Sequence, residues 1–243
     1  MKNYGEVLYK PFFIFKGINS LDMGIIVTSM PAVVRPKRRV DTVTIQGRNG
    51  VLHVDDNSYE NYTKTVECAI MNRKGIDEIA AWLVGTGEAI FSTEPDKIYR
   101  VRVDNQIDIN QMLNVFQKFQ VNFDTYPFKY SVNCYDDTVS LIEEKSLYNR
   151  GTIYSEPKIT VYGNGAVVLT INDVDYGLSN VNGYITIDSE IMEVYKDNVN
   201  KNADYTPPEV EDRMFPILEV GENTIEWTGT VERIEIVPRW RWL

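Results

Sequence analysis

Residues 30–53 read MPAVVRPKRRVDTVTIQGRNGVLH, and this stretch sets the architecture expected of the chain. Pro31 and Pro36 hold Met30 and Arg35 out of the helical region, so the run Arg35, Lys37, Arg38, Arg39 is an extended basic arm. From Val40 onward Val40, Thr42, Thr44 and Gln46 alternate with Asp41, Val43 and Ile45, the period of a strand. The turn signal Gly47-Arg48-Asn49-Gly50 follows, with Asn49-Gly50 the dipeptide that best takes the positive φ angles of a two-residue hairpin turn. An arm with four cations in five residues is a poor fit to its own core, which predicts that it lies against something else.

Outward from the arm, the pattern stays mostly β. Phe12, Phe13 and Phe15, a turn at Lys16-Gly17-Ile18-Asn19 and then GIIVTSM predict a first strand, a turn and a second strand. On the far side, Tyr62 to Met71 alternates, with Thr63, Thr65, Glu67 and Ala69 on one face and Tyr62, Val66, Cys68 and Ile70 on the other. Ile76, Ile79, Ala80 and Leu83 form a helical stripe, with Asp77 and Glu78 in the first turn and Gly85 and Gly87 beyond its end. Trp82 lies near the edge of that stripe, and core packing is its expected role. A hairpin is expected about Glu94-Pro95-Asp96-Lys97. A strand with Val115, Phe119, Val121 and Phe123 on one face is expected to stop at Tyr126-Pro127, and a short one follows from Phe128 to Tyr135.

Charge divides the chain. Residues 1–136 hold 16 Lys+Arg against 16 Asp+Glu, whereas residues 137–243 hold 9 against 19, which is the whole formal charge of −10. A chain of 243 residues also exceeds the usual single-domain size of about 100–200 residues. Two domains are therefore expected, 1–150 and 151–243. The acidic second half disfavours sequence-specific reading of nucleic acid. In that half KITVYGNGAVVLTI reads as a hairpin about Gly163-Asn164-Gly165 and YITIDSEIMEVY as one about Asp188-Ser189-Glu190. Asn223 to Trp227 with Val231 to Val237 reads as a third about Thr228-Gly229, after an exposed loop DNVNKNADYTPPEVED. Short strands at this spacing predict a sandwich.

Chemistry is sparse. His53 is the only histidine, there is no GxSxG elbow or phosphate-cradling glycine loop, and Cys68 and Cys134 are too far apart for a zinc knuckle. Both cysteines fall in strand-like runs and are expected as buried free thiols. No catalytic residue, cofactor or metal is expected. The acids Asp188 and Glu190 flank a serine in a turn, where solvated carboxylates are the rule, and Asp173 with Asp175 misses the calcium-loop spacing. The C-terminal Arg239-Trp240-Arg241-Trp242 alternates, placing arginines on one face and tryptophans on the other. Those tryptophans either complete a core or, with Tyr184, form an aromatic platform for sugar rings. No apolar run approaches the roughly 20 residues of a membrane span, and the N-terminus lacks a small-residue cleavage site. Synthesis and residence in a cytoplasm are expected, unless the protein leaves as part of a larger particle.

In order, FFIFKGINSLDMGIIV, the arm, TIQGRNGVLHVDDNSYENYTKTVECAI and AAWLVGTGEAIFSTEPDKIYRVRV resemble the N-terminal domain of siphophage distal tail proteins. That family pairs a Gly-Arg-(Asp/Asn)-Gly hairpin with a helix and a Pro-Asp hairpin. ITIDSEIMEVY and FPILEVGENTIEWTGTVERIEIVPRWRW resemble the galectin-like second domain of its longer members. The resemblance implies a β-sandwich-like ring-forming domain with one helix, followed by a galectin-like β-sandwich. It also implies a non-enzymatic hexameric ring at the virion tail tip, made in the bacterial host. That ring joins the tail tube protein to the tail-tip protein, with the tape measure and receptor-binding proteins as further partners. Under it, Arg35, Lys37, Arg38 and Arg39 become candidate inter-subunit contacts. The alternative is a module that binds host wall glycans through Trp240, Trp242 and Tyr184.

Overall fold

A computed structural model describes residues 10–70, 75–104, 110–113, 116–134, 137–210 and 213–243. The chain is nearly all β and divides into two compact units, 1–129 with Leu243, and 130–242. The division falls some twenty residues before the one expected at 150. Residues 139–141 and 145–149 form strands that pair into the second sheet, which places them in the second unit.

In the first unit the order is β1 (Phe13–Phe15), β2 (Ile18–Asn19), β3 (Ile25–Ser29), β4 (Arg38–Val43), β5 (Leu52–Tyr59), β6 (Tyr62–Ile70), α1 (Ile76–Trp82), β7 (Gly85–Phe91), β8 (Lys97–Val103), β9 (Asn110–Leu113) and β10 (Phe116–Ser131). Its main sheet runs β2-β1-β7-β8-β10-β6-β3, with β9 on β10, while β4 and β5 form a two-stranded sheet of their own. Phe15 pairs with Ile18 across a Lys16-Gly17 turn in which both central residues are left-handed, at φ 50° and 77°, as so tight a hairpin connection requires. The Glu94–Lys97 turn closes through the Lys97 amide and the Glu94 carbonyl, as its proline predicts. Phe13, Phe15, Val66, Cys68, Phe91, Tyr99, Val121 and Phe123 form the core, under Ile79, Trp82 and Leu83 of the helix. Trp82 stacks on Phe13 at 5.6 Å and donates its indole N–H to the Phe15 carbonyl at 3.0 Å, so the buried aromatic keeps its one donor satisfied.

Two expectations change in this unit. The helix spans seven residues, less than the three turns its stripe suggests. The β10 strand runs straight through Tyr126-Pro127 to Ser131, where a stop was expected. Val115, Met71, Tyr135 and Asp136 lie outside the described residues.

The second unit contains β11 (Val139–Leu141), β12 (Lys145–Asn149), β13 (Lys158–Ile171), β14 (Val174–Asp188), β15 (Glu193–Lys196), β16 (Val199–Asn200), β17 (Tyr205–Thr206), β18 (Gly221–Val237) and β19 (Arg241–Trp242). Its sheet runs β11-β18-β13-β14-β15-β16, with β12 also on β18 and β17 on β14. The sequence places turns at Gly163-Asn164-Gly165 and Thr228-Gly229, but β13 and β18 continue through both and pair with each other along most of their length. The real turn is Asn172-Asp173, at φ 50° and 62°, between Ile171 and its partner Val174. The glycines instead serve register shifts. A Cβ on Gly163 would lie 2.2 Å from the Thr230 carbonyl oxygen, and one on Gly229 2.4 Å from that of Ala166. Only a residue without a side chain permits so close an approach of two backbones. The expected loop 197–212 carries two short strands and a 3₁₀ turn at Asn202–Asp204. Inward residues of the long strands, Ile159, Val161, Leu169, Ile171, Ile185, Ile187, Ile234 and Ile236, fill the core.

Candidate assembly surface

The arm leaves β3 and is fastened at its root. Pro31 and Pro36 are buried, while Val33, Val34 and Arg35 between them are exposed. Lys64 is buried to 1% exposure in β6, and its ammonium donates to the Ala32 carbonyl at 3.1 Å. Around that ammonium stand the rings of Tyr99 at 4.7 Å, Phe91 at 5.4 Å and Tyr62 at 5.9 Å. Burial pushes Lys64 below the ordinary lysine value; Glu94 opposes the shift and Lys129 adds to it. Burial works against ionisation of Glu94, but hydrogen bonds from Lys129, at 2.6 Å, and Tyr99 hold its carboxyl below the ordinary range. The result is a charged, aromatic-walled socket whose cation grips the arm's backbone. Period two along β6 places Lys64 on the same face as Val66 and Cys68, and this was the signal for its burial.

Beyond the socket the Glu60 amide donates to the Lys37 carbonyl at 2.9 Å, and the Arg38 guanidinium pairs with Asp55 at 2.6 Å over the ring of Tyr59. Tyr59 packs edge-on against Phe128. Lys37 reaches Glu60 at 3.6 Å, but with Lys37 79% exposed such a pair adds at most about 1 kcal/mol. Of the four predicted contact residues, Lys37 and Arg38 therefore have partners within the chain. Arg35 and Arg39 point into solvent.

The β4–β5 hairpin is exposed along β4 and pairs with no other strand among the described residues. Val43 pairs with Leu52 and Asp41 with Val54, so the aliphatic residues Val43, Leu52 and Val54 share one face with Asp41. Thr42 with His53 and Val40 with Asp55 share the other. Each of the three apolar residues is between 44% and 49% exposed. The hairpin is as expected, but its connection is not. Strand pairing ends at Val43 and Leu52, leaving residues 44–51 as the loop. Gly47 and Gly50 take positive φ, whereas Asn49 does not. A turn closes instead between the Arg48 amide and the Ile45 carbonyl, with Gly47 supplying the left-handed residue.

The predicted sugar platform does not assemble. Trp240 is 9% exposed within the second core, and Trp242 packs partly against it. Tyr184 lies in a ladder across four strands: Arg233 over Tyr162 at 3.6 Å, Tyr162 beside Tyr184 at 5.7 Å, and Lys196 over Tyr184 at 5.1 Å. Tyr184 is thus engaged by Tyr162 from β13 and Lys196 from β15, and its hydroxyl donates to the Asp197 carboxylate. The tryptophans of the tail go to the core, and its arginines are held apart from them in ion pairs. Arg239 grips Asp188 with two bonds of 2.6 and 2.9 Å and reaches Glu190 at 3.1 Å. Arg241 grips Glu156 with two bonds of 2.9 Å and donates to the Tyr154 carbonyl. Asp188, expected to be solvated in its turn, is 4% exposed. Both cysteines are buried thiols outside any disulfide, as expected, and burial pushes the Cys68 thiol up to about 12. Among the described residues no group of acids, histidines or cysteines is arranged to hold a metal, and no helix is long and apolar enough to cross a membrane.

Residues 16–125 match the family described as phage tail protein RIFT-related domain. The chain is similar to a solved structure of the SPP1 Dit (gp 19.1) protein, described as a paradigm of the hub adsorption apparatus in phages that infect Gram-positive hosts. The TM-score is 0.68 at 16% identity, covering 93% of this chain and 97% of that one. No curated protein sequence matches the chain.

Proposed function

We propose that this chain, which has the fold of the siphophage distal tail proteins and carries a phage tail RIFT-related domain, is the structural hub of a phage tail tip. Six copies form a ring through the first unit, continuous with the tail tube protein on one side and bound to the tail-tip protein on the other. The tape measure and receptor-binding proteins are further partners. The second unit, which is acidic, is galectin-like in this reading. The role is assembly, not catalysis.

The observation that carries this is the arm and hairpin, residues 31–59. They are anchored at the base by Lys64, Pro31 and Pro36, yet present an unpaired apolar face and two unpaired arginines. A small sheet that exposes three aliphatic side chains on one face gains by burying them against a partner. A heterologous contact of this kind closes into a ring when its rotation returns to the starting copy, and six copies are the closure proposed. The carbohydrate-binding alternative has less to rest on, since Trp240 is in the core and Tyr184 is engaged by Tyr162 and Lys196.

Light scattering after size exclusion tests the proposal. A mass six times the 28.0 kDa of the chain, with rings in negative-stain images, is expected. A single-chain mass at every concentration and salt overturns it. Replacing Arg35, Lys37, Arg38 and Arg39 by serine should weaken the ring, and an unaltered hexamer would remove the arm from the contact.

A further inference from the structure

A ring of this kind needs a second, different patch to receive the hairpin. Outside the arm and hairpin, the large apolar residues exposed in the first unit are, among the described residues, Ile18, Leu21, Ile26, Val84 and Tyr126. Three of these belong to one neighbourhood. The Lys16 ammonium donates to the Val84 carbonyl at 2.6 Å and Trp82 to the Phe15 carbonyl, which fastens the end of α1 beside the β1–β2 turn that carries Ile18 and leads on to Leu21.

The helix adds to this patch. Its inward residues are Ile79 and Trp82, while Ala80 and Ala81 face solvent along with Val84. Val84 follows two residues after the helix ends at Trp82 and is exposed like Ala80 and Ala81, so the exposed surface at this end of α1 is small and apolar where a solvated helix would carry charge. The charge lies in the first turn instead, where Asp77 and Glu78 are exposed.

We infer that the outer face of α1, with Ala80, Ala81, Val84 and Ile18, receives the Val43–Leu52–Val54 face of the hairpin from a second copy of the chain. Asp77 and Glu78 there meet Arg35 and Arg39 of the incoming arm. Apolar matches apolar, and the two unpaired arm cations match two unpaired acids. The patches are different surfaces of one chain, as a heterologous joint requires. This rests on the ring reading above but adds to it the receiving surface.

Two full-length variants test it. V43D/L52K destroys the apolar face while placing opposite charges across the strand pair, which preserves hairpin pairing. A80R/A81R blocks the helix face with a good helix former at exposed sites. Thermal unfolding close to wild type verifies folding of both. Each variant alone should run at the single-chain mass under conditions where wild type assembles. Mixed in equal amounts they should form a species of twice that mass and no larger, because one intact hairpin meets one intact helix face and the remaining surfaces are dead. A mixture that stays at the single-chain mass, or either variant assembling like wild type, overturns the inference while leaving the ring in place. A wild type that never exceeds the single-chain mass overturns both.

Discussion

Two arginine-rich, alternating stretches of this chain end in opposite surroundings. In the arm, Arg35 and Arg39 are exposed and Arg38 meets Asp55 at the surface. In the tail, Arg239 and Arg241 are 8% and 3% exposed. Neither composition nor period distinguishes them. What differs is the delivery of carboxylates: Asp188 arrives from 51 positions away and Glu156 from 85, each in a two-bond grip that suits the planar guanidinium fork. An arginine is buried where the fold brings it a carboxylate in that geometry. Elsewhere it stays in water, available to another chain.

The comparison breaks most sharply at Arg239. Arg239→Ala leaves Asp188 buried without its partner and should destabilise the chain by about 3–5 kcal/mol in urea unfolding. Arg239→Met with Asp188→Leu replaces the pair by apolar volume and should recover most of that loss. A loss below about 1 kcal/mol for the single variant would mean that the tail pair is worth no more than a surface one.

Lys64 lies between the two extremes, a buried cation whose direct acceptor is a backbone carbonyl of the arm. Its pKa is depressed in the folded state, so between that value and the ordinary 10.5 the unfolded chain binds the extra proton. Stability then rises with pH through this window. Tyr62, which burial pushes up to about 12, and Tyr99, also pushed up, act in the opposite direction, but only above the ordinary tyrosine value of 10.0. Unfolding of Lys64→Met followed from pH 7 to 9.5 should be flatter than that of wild type. The same variant should release the arm to proteolysis between Pro31 and Pro36. Identical pH slopes would show that the socket does not tune the lysine.

The smallest expected effect on folding is in the arm itself. Serine at Arg35, Lys37, Arg38 and Arg39 removes two solvent-screened surface pairs and should leave the urea midpoint close to that of wild type. Its effect belongs to assembly. A loss comparable to that of Arg239→Ala would show that the arm serves the fold of its own chain.

Much of the architecture was legible. The β-rich pattern, the Lys16-Gly17 and Glu94–Lys97 turns, the helix under Trp82, the hairpin and the two buried thiols follow from residues within a few positions of one another. The candidate surface was legible in part. The basic arm announced itself by charge and proline, but its apolar companion face needed the register that pairs Val43 with Leu52 and Asp41 with Val54. The lysine at its root was hidden by its own charge, although the period of β6 pointed it inward.

By itself the sequence determined what local energies decide: which residues extend, where proline stops a helix, and which short segments turn. Only the tertiary structure decided whether a glycine is a turn or a register shift. Gly163 and Gly229 read as turns until β13 and β18 are laid side by side, where carbonyl oxygens of Thr230 and Ala166 occupy the space a side chain would need. It likewise decided that the arginines of the tail are interior and those of the arm are not. In both cases the deciding atom lies tens of residues away along the chain, where neither the period nor the composition of the segment carries any trace of it.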